Sequence, residues 1–579
     1  MYILIRYRIL KLIILILLGL FTIKYFLFNG LKKVKYDKPV QMKRVESQFM
    51  SYETRDFVSQ FNLSIFKYFY ESQTFKKVTD HDAFYAEYSK DVYGYNLDMS
   101  DRISLNRFIP DLRDDLCGIE QYYSDLPTTS VVIVFHNEGL STLLRTVHSV
   151  IRMSPRNLLK EIVMVDDNSD RENLKFELDK YIETHLRPVL NVIIFRSNER
   201  IGLIEARNTG AKLSSSEVVV FLDAHCECNY NWLVPLLQPI AENNNVMTVP
   251  YIDGINYENF DITRVYSPGS YFKGIFEWGM LYKETSINFE QINNRKSPIE
   301  PYDSPTHAGG LFAINRKFFA SLGYYDSNNI KIWGGENFEL SFKLWMCSNG
   351  SIKWVPCSRV AHIYRMKMPY SLGKQSSKIS QIELNYQYIA DTWMEEYAVY
   401  YYRRTPYMDS SETSKIRDRG NLKNCKTFHW FINNVAHDML PKYPFPVRNV
   451  VWGEISNNKK CWDVGDYNKG SKINIYGCHH FGNNQLFRLN ENGQLASGER
   501  CINIINNFVV VIWCEGSTLG PWNYTTGKQI THKDGKCIQI VNNKLIPANC
   551  TSENDQIWEF TDKYIIEYYY GSNKTIPLI

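Results

Sequence analysis

Between residues 130 and 250 the apolar positions fall into short continuous runs separated by amphipathic stretches. Ser130–Phe135 (SVVIVF) is uncharged throughout, the pattern of a buried parallel strand. Residues 141–153 read as a helix that Ser141 can cap and Pro155 ends. Further strands are predicted at Glu161–Val165, Asn191–Phe195 and Glu217–Leu222 (EVVVFL), with helices at Gly202–Leu213 and Asn231–Glu242 leading into Val246–Val249. Strands alternating with helices predict an α/β, doubly wound parallel sheet. Such sheets bind ligands outside the carboxyl ends of their strands. Polar residues gather at those ends: His136, Asn137 and Glu138, then Asp166 and Asp167, then Arg196 and Arg200, then Asp223 and His225. Successive strand ends loaded in this way predict a site.

The two flanks have other textures. Residues 29–115 are polar and Tyr-rich with little periodicity, which reads as a stem ending in a segment that docks on the next domain. After about residue 438 come short segments, Asn/Gly turns and paired cysteines. The pairs Cys461/Cys478, Cys501/Cys514 and Cys537/Cys550 are each followed by an aromatic, Phe487, Trp522 and Trp558. Three such units with one small loop each predict a stacked or trefoil β domain. At the other end, Leu12–Ile23 is uncharged and the apolar stretch 9–28 is long enough for one bilayer span if Lys11 and Lys24 snorkel. No small-residue cleavage site follows it, so a signal-anchor is expected in place of a cleaved signal peptide.

Composition narrows the picture. Hydrophobic residues make up 44% and charged residues 22%, a globular balance, and 579 residues require more than one core. A net charge of +4 with no Lys/Arg stripe argues against nucleic acid as a partner. Short-loop cysteine pairs and sequons at Asn62, Asn349, Asn523, Asn549 and Asn573 favour an oxidising, lumenal compartment. The expected organisation is a cytosolic tail at 1–8, a transmembrane anchor at 9–28 and a stem at 29–115. A catalytic domain follows at 116–438 and a β domain at 446–565.

Asp223-Ala224-His225 closes an apolar strand, and residues two apart on extended chain point to one side, so both can reach one ion. A mixed oxygen and nitrogen set suits Mn²⁺, with His362 a candidate third ligand. An ordinary strand-end histidine is the alternative for His225. Gly309-Gly310 allows close approach of backbone to a ligand or simply makes a tight turn. Trp333-Gly334-Gly335-Glu336-Asn337 puts a carboxylate on a glycine-bent loop, where a solvated structural Glu is the alternative.

The motifs FHNE (135–138), LLRTVHSV (143–150), LLKEIVMVDD (158–167), FLDAHCECN (221–229), AGGLFAI (308–314), WGGEN (333–337) and VPCSRVAHIYR (355–365) resemble the polypeptide N-acetylgalactosaminyltransferase family. The cysteine repeats resemble that family's ricin-type lectin domain. The resemblance implies a GT-A glycosyltransferase fold with a β-trefoil, and Mn²⁺-dependent, retaining transfer of N-acetylgalactosamine from UDP-GalNAc to Ser/Thr of polypeptides. A Golgi-type, single-pass type II enzyme is implied with it. By the same resemblance Asp223, His225 and His362 are the metal ligands. His136, Glu138, Asp167, Arg200, Gly202, Asp223, Gly309, Gly310, Arg365 and Tyr370 are placed around the UDP-sugar. Glu336, Asn337 and Trp333 form the catalytic group, and Phe276 and Trp278 hold the acceptor peptide. Asp463, Tyr476 and Asn484 match a lectin sugar site, whose acid is replaced by Asn503 and Gln539 in the later repeats. Disulfides Cys117–Cys357 and Cys347–Cys425 are implied, with Cys226 and Cys228 free.

Some positions depart from the family pattern: Met368 in place of a His, Glu205 in place of a basic residue, His307 in place of Met, and Asn385–Tyr388 in place of a basic stretch. They leave open a catalytically silent relative that binds glycoproteins through its lectin domain. A transferase using another UDP-sugar is a further alternative.

Overall fold

The computed structural model describes residues 82–366, 380–405, 424–465, 468–479, 483–514 and 520–562. The expected anchor at 9–28, together with Met368 and Tyr370, lies outside them. Among the described residues no helix is long and apolar enough to cross a membrane.

The catalytic region is built on a ten-stranded sheet. Its strands are β1 (Thr129–Phe135), β2 (Leu159–Asp166), β3 (Asn191–Arg196), β4 (Val218–Asp223), β5 (Cys226–Cys228), β6 (Val246–Ile255), β7 (Ile262–Thr263), β10 (Tyr302–Asp303), β11 (Phe312–Asn315) and β12 (Ser351–Ile363). A separate hairpin pairs β8 (Phe272–Phe276) with β9 (Tyr282–Ser286). The main order is β10-β12-β6-β11-β4-β1-β2-β3. Side chains alternate between two cores: Val131 and Ile133 face one, Val132 the other, and likewise Val218 and Val220 against Val219 and Phe221. Both faces are therefore covered, as the continuous apolar runs of β1 and β4 require.

The parallel expectation holds for only part of the sheet, since β5, β7, β10 and β11 pair antiparallel with their neighbours. β1 to β4 are parallel, but β11 runs antiparallel to both β4 and β6. Phe312, at the start of β11, lies opposite Phe221 near the end of β4. This reversal delivers the preceding turn, Gly309-Gly310, to the edge where Asp223 emerges. β12 runs parallel to β6 and brings its own end, His362, to the same edge opposite Gly254.

Ser141 is not the cap of its helix. The helix spans Leu140–Met153 with Gly139 at the N-cap, and Ser141 Oγ lies 2.8 Å from Ser100 Oγ instead. A side chain at 139 would stand 2.5 Å from Leu97 Cδ1 and 2.7 Å from the Tyr95 oxygen. Tyr95 and Leu97 come from the segment before the sheet, where helices Asp82–Tyr93 and Leu97–Arg102 pack on the catalytic region. Arg107 of the same segment makes a two-pronged ion pair with buried Glu227 on β5, both contacts at 2.7 Å.

From Asn449 to Asp562 the chain forms a twelve-stranded β domain around Trp462, Phe487, Trp522 and Trp558. The three repeating aromatics thus fill one core. The indoles of Trp522 and Trp558 donate to the carbonyls of Ile502 and Ile538, each one residue after the first cysteine of its repeat. All five expected disulfides are present, and Cys226 and Cys228 are free and buried.

Candidate active site

Asp223, His225 and His362 meet at the carboxyl edge of the sheet, with ligand atoms all within 4.8 Å of one another. The route to this convergence differs from the extended-strand argument. β4 ends at Asp223, and Ala224-His225 form a turn into β5, so the turn rather than strand alternation brings the two side chains together. Pairing of His362 with Cys226 across β12 and β5 sets the third ligand beside them. His362 Nε2 lies 3.3 Å from Asp223 Oδ2. Burial would raise the Asp223 carboxyl, but His362 and Arg207 hold it well below the usual carboxylate range. One carboxylate and two imidazoles, partly exposed and this close, fit a divalent ion such as Mn²⁺.

Glu138, expected beside the donor, is buried behind His225. Its Oε2 accepts from His225 Nδ1 at 2.9 Å and from Arg365 at 2.5 Å, while Tyr95 donates to Oε1. Burial works against its charge, yet Arg365 and His225 keep it ionised. Arg365 is thereby turned onto the carboxylate behind His225.

The Gly309-Gly310 turn abuts Asp223 and Glu336. A side chain at 310 would stand 2.6 Å from Asp223 Oδ2, and one at 309, where φ is +101°, would stand 3.2 Å from Asn337 Cβ. Both glycines are dictated by this close approach. Glu336 opens a short helix, Glu336–Phe342, and accepts from the Gly334 amide at 2.8 Å. Asn337 donates to the carbonyl of His307 at 3.0 Å. Burial raises the Glu336 pKa, an effect that Arg207 opposes.

Arg207 was not singled out from the sequence, yet it ties these parts together. Only 2% exposed, it donates to the Gly309 carbonyl at 2.7 Å, the Gly310 carbonyl at 3.2 Å and Asp223 Oδ1 at 3.1 Å. Glu336 Oε1 lies 3.8 Å away. The available signal was an arginine between Ile204, Ala206 and Ala211 on the buried face of the Gly202–Leu213 helix.

The residues expected around the nucleotide form a second group. Asp167 accepts from the amides of Ile201 at 2.7 Å and Gly202 at 3.1 Å, and its carbonyl lies 2.8 Å from His136 Nδ1. Arg200 lies 3.4 Å from the same carboxylate. Gly202, at φ +79°, lets Ile332 pack where a Cβ would come within 2.4 Å of its Cα. This contact fixes the approach to the Trp333 loop. Trp333 is half-buried, and Asn385 clamps the loop around it. Asn385 Nδ2 donates to the carbonyls of Lys331, Trp333 and Gly334 at 2.7, 3.1 and 3.0 Å, and its Oδ1 accepts from Lys331 N at 2.9 Å.

The departures from the family pattern that are described fit the fold. Glu205 accepts from Ser327 at 2.5 Å and Asn208 at 3.3 Å. His307 is buried against Phe312, and its Nδ1 accepts from the Gly309 amide at 3.1 Å. Burial and the nearby Arg207 pull its pKa down to about 3.

Phe276 and Trp278, expected at the acceptor peptide, lie in the aromatic core. Both are 0% exposed. Phe276 packs edge-on against Phe338 and Phe342, while Trp278 sits among Tyr397, Tyr400 and Phe445 and donates to the Tyr443 carbonyl at 2.9 Å. Their neighbourhood is solid aromatic core, which places them beneath a surface rather than on it.

In the β domain Asp463 accepts from Gly465 N and Asn484 Nδ2, both at 2.8 Å, and from Gln485 at 3.0 Å. Tyr476 lies on the paired strand, 58% exposed, opposite Cys461. In the third repeat Gln539 donates to Asp555 at 2.6 Å, and in the second Asn503 lies 3.1 Å from His532.

Known proteins align with both regions. A family profile described as "Glycosyl transferase family 2" matches residues 130–319, and one described as "Ricin-type beta-trefoil lectin domain" matches residues 451–558. N-acetylgalactosaminyltransferase 7 of Drosophila melanogaster is 46% identical over 484 residues, covering 81% of this chain and 81% of that protein. The Homo sapiens protein of the same name is 40% identical over 494 residues, covering 81% and 73%. The crystal structure of GalNAc-T7 with UDP, GalNAc and Mn2+ matches with a TM-score of 0.76 at 39% identity, covering 83% of this chain and 90% of that one. With the GT-A site and the trefoil both in place, the chain belongs to the polypeptide N-acetylgalactosaminyltransferase family.

Proposed function

We propose that this chain transfers N-acetylgalactosamine from UDP-GalNAc to Ser/Thr hydroxyls of polypeptides, with retention of the sugar's configuration. The observation that carries this reading is the convergence of Asp223, His225 and His362 beside Glu336 and the Gly309-Gly310 turn. These three residues would hold Mn²⁺, which supplies Lewis-acid neutralisation of the diphosphate as the glycosidic bond breaks.

The chain's own residues provide shape and charge. Gly309 and Gly310 keep a side-chain-free surface for the sugar between Asp223 and Asn337. Arg207 lies between the two carboxylates: it helps to hold Asp223 ionised, and it opposes the rise that burial imposes on Glu336, favouring the charged form. That charge stabilises the positive character developing at the anomeric carbon. The acceptor hydroxyl attacks from the face the diphosphate leaves, and the departing phosphate oxygen takes its proton. No enzyme nucleophile is required. Asp167, Arg200, His136 and Gly202 are assigned to the nucleotide, and Asp463, Tyr476 and Asn484 to a sugar on the acceptor glycoprotein. The convergence of Asp223, His225 and His362 and the likeness to transferases favour the enzyme over the silent lectin.

A type II arrangement goes with this reading. Residues 1–8 would be cytosolic, 9–28 the anchor, 29–115 the stem and docking segment, and the catalytic (116–438) and lectin (446–565) domains lumenal in the Golgi. Five disulfides support an oxidising compartment.

The test is Mn²⁺-supported transfer to a Thr-rich peptide from UDP-GalNAc, against UDP-GlcNAc and UDP-Gal. Transfer from UDP-GalNAc at the highest kcat/KM is expected. A preference for either other donor would sink the assignment.

A further inference from the structure

We propose that the hydroxyl of Tyr95, carried by the segment that precedes the catalytic sheet, orients Glu138 so that His225 presents Nε2 to the metal. Tyr95 is then a positioning residue of the metal centre. The inference rests on reading Asp223, His225 and His362 as ligands.

The contacts around Glu138 leave its carboxylate one orientation. Oε1 accepts from the Tyr95 hydroxyl in a short hydrogen bond and from the Gly139 amide at 3.1 Å. Oε2 accepts from His225 Nδ1 at 2.9 Å and from Arg365 Nη2 at 2.5 Å. A neutral imidazole carries one proton, and the nitrogen that keeps it cannot bind a metal. With Glu138 accepting from Nδ1, the proton stays there and Nε2 is free. Arg365 pulls the other way, because its Nη2 lies 3.1 Å from the same Nδ1 and would favour a lone pair there. The tautomer is therefore a contest between Glu138 and Arg365, and the placement of Glu138 decides it. Carboxylates behind metal-binding histidines act in this manner in many metal sites.

Tyr95 is built into this position. It is 0% exposed, packs edge-on against Phe260 at 5.8 Å, and is followed by Asn96, whose amide donates to the Tyr257 carbonyl at 2.8 Å. Gly139 makes room for it, since a Cβ there would come within 2.7 Å of the Tyr95 oxygen. A phenylalanine would keep this packing and remove the donor to Oε1, along with one acceptor of the Gly139 amide, which lies 3.2 Å from the Tyr95 oxygen and keeps Oε1 as its other acceptor. Glu138 could then swing toward Arg365, its strongest remaining partner, and release Nδ1.

The experiment titrates Mn²⁺ into the purified full chain and reads unbound Mn²⁺ by electron paramagnetic resonance, for the wild type, Y95F, E138Q and Y93F. Y95F should bind Mn²⁺ about 10–100-fold more weakly. The Mn²⁺ concentration for half-maximal transfer should rise by the same factor, with the rate recovering at saturating Mn²⁺. E138Q should bind at least as weakly as Y95F, which keeps the test decisive if Y95F folds poorly. Tyr93 reaches Arg171 rather than Glu138, so Y93F should bind as wild type does. Wild-type affinity in Y95F overturns the inference and leaves the metal assignment standing. So does a lowered rate at saturating Mn²⁺ with unchanged affinity. A wild type that binds no Mn²⁺ overturns the metal reading itself.

Discussion

Arg207 is the side chain whose loss should cost the site most for its size. It is buried between Asp223 and Glu336 and spans the carbonyls of Gly309 and Gly310. In Arg207→Met two carboxylates would face each other with no cation between them, and two carbonyls would lose their donor. Removing one partner of a buried charged pair costs about 3–5 kcal/mol of stability. Arg207→Lys keeps the charge but not the fork, so one or two hydrogen bonds to a charged group disappear, about 2–4 kcal/mol. If that loss falls fully on the transition state, kcat/KM drops roughly 30- to 900-fold, since each 1.36 kcal/mol is tenfold. Urea unfolding and initial rates of transfer at saturating Mn²⁺ separate the two effects. Arg207→Met should be nearly inactive and less stable, Arg207→Lys folded but slow. An Arg207→Met enzyme within threefold of wild-type kcat/KM would refute the argument.

His362→Ala should abolish Mn²⁺-dependent transfer in a chain that still folds; near-normal turnover would remove His362 from the ligand set. His307 predicts an acid sensitivity. Its folded-state pKa of about 3 lies below the ordinary histidine value, so as pH falls the unfolded chain takes the proton first. Its contribution is full above pH about 6.5 and falls by about 1.4 kcal/mol per pH unit from there down to about 3. His307→Met should flatten the decline of unfolding free energy between about pH 5.5 and 4 by about that slope, and an unchanged slope in urea titrations would contradict it. Asp463→Ala should leave transfer to plain peptides unchanged and erase any rate advantage of a peptide carrying one remote GalNAc, because that advantage comes from tethering. An intact preference in the mutant would move the sugar site away from the first repeat.

The legible parts were those whose signal is local. Short apolar runs between amphipathic helices located β1 to β4, and recurring cysteine and aromatic spacing located the three β units. The direction of β11 was not legible, because an antiparallel strand and a parallel one share the same apolar pattern. Motif matching found Glu138 but not its orientation, which depends on Tyr95 some forty residues earlier. It named Phe276 and Trp278 but not how deep their rings lie, which residue identity alone does not report. Arg207 and Asn385 act through backbone carbonyls of distant segments, which leave no trace in a single sequence.

The bond between Cys117 and Cys357 spans 240 residues. During vectorial synthesis at about 5–20 residues per second, Cys117 would emerge roughly 10–50 s before its partner. In the second half of that interval the thiols of Cys226 and Cys228 are already present, and either could capture it. The defence lies in the order of emergence. Cys226 and Cys228 donate their amides to Thr146 and Ser149, both at 3.0 Å, on a helix made before them. β5 can thus be covered from one side while β12 is still unmade. Fidelity of oxidation in this chain is then a race between helix docking and thiol exchange, and a variant at Ser149 could yield scrambled protein while every residue of the metal site remained in place.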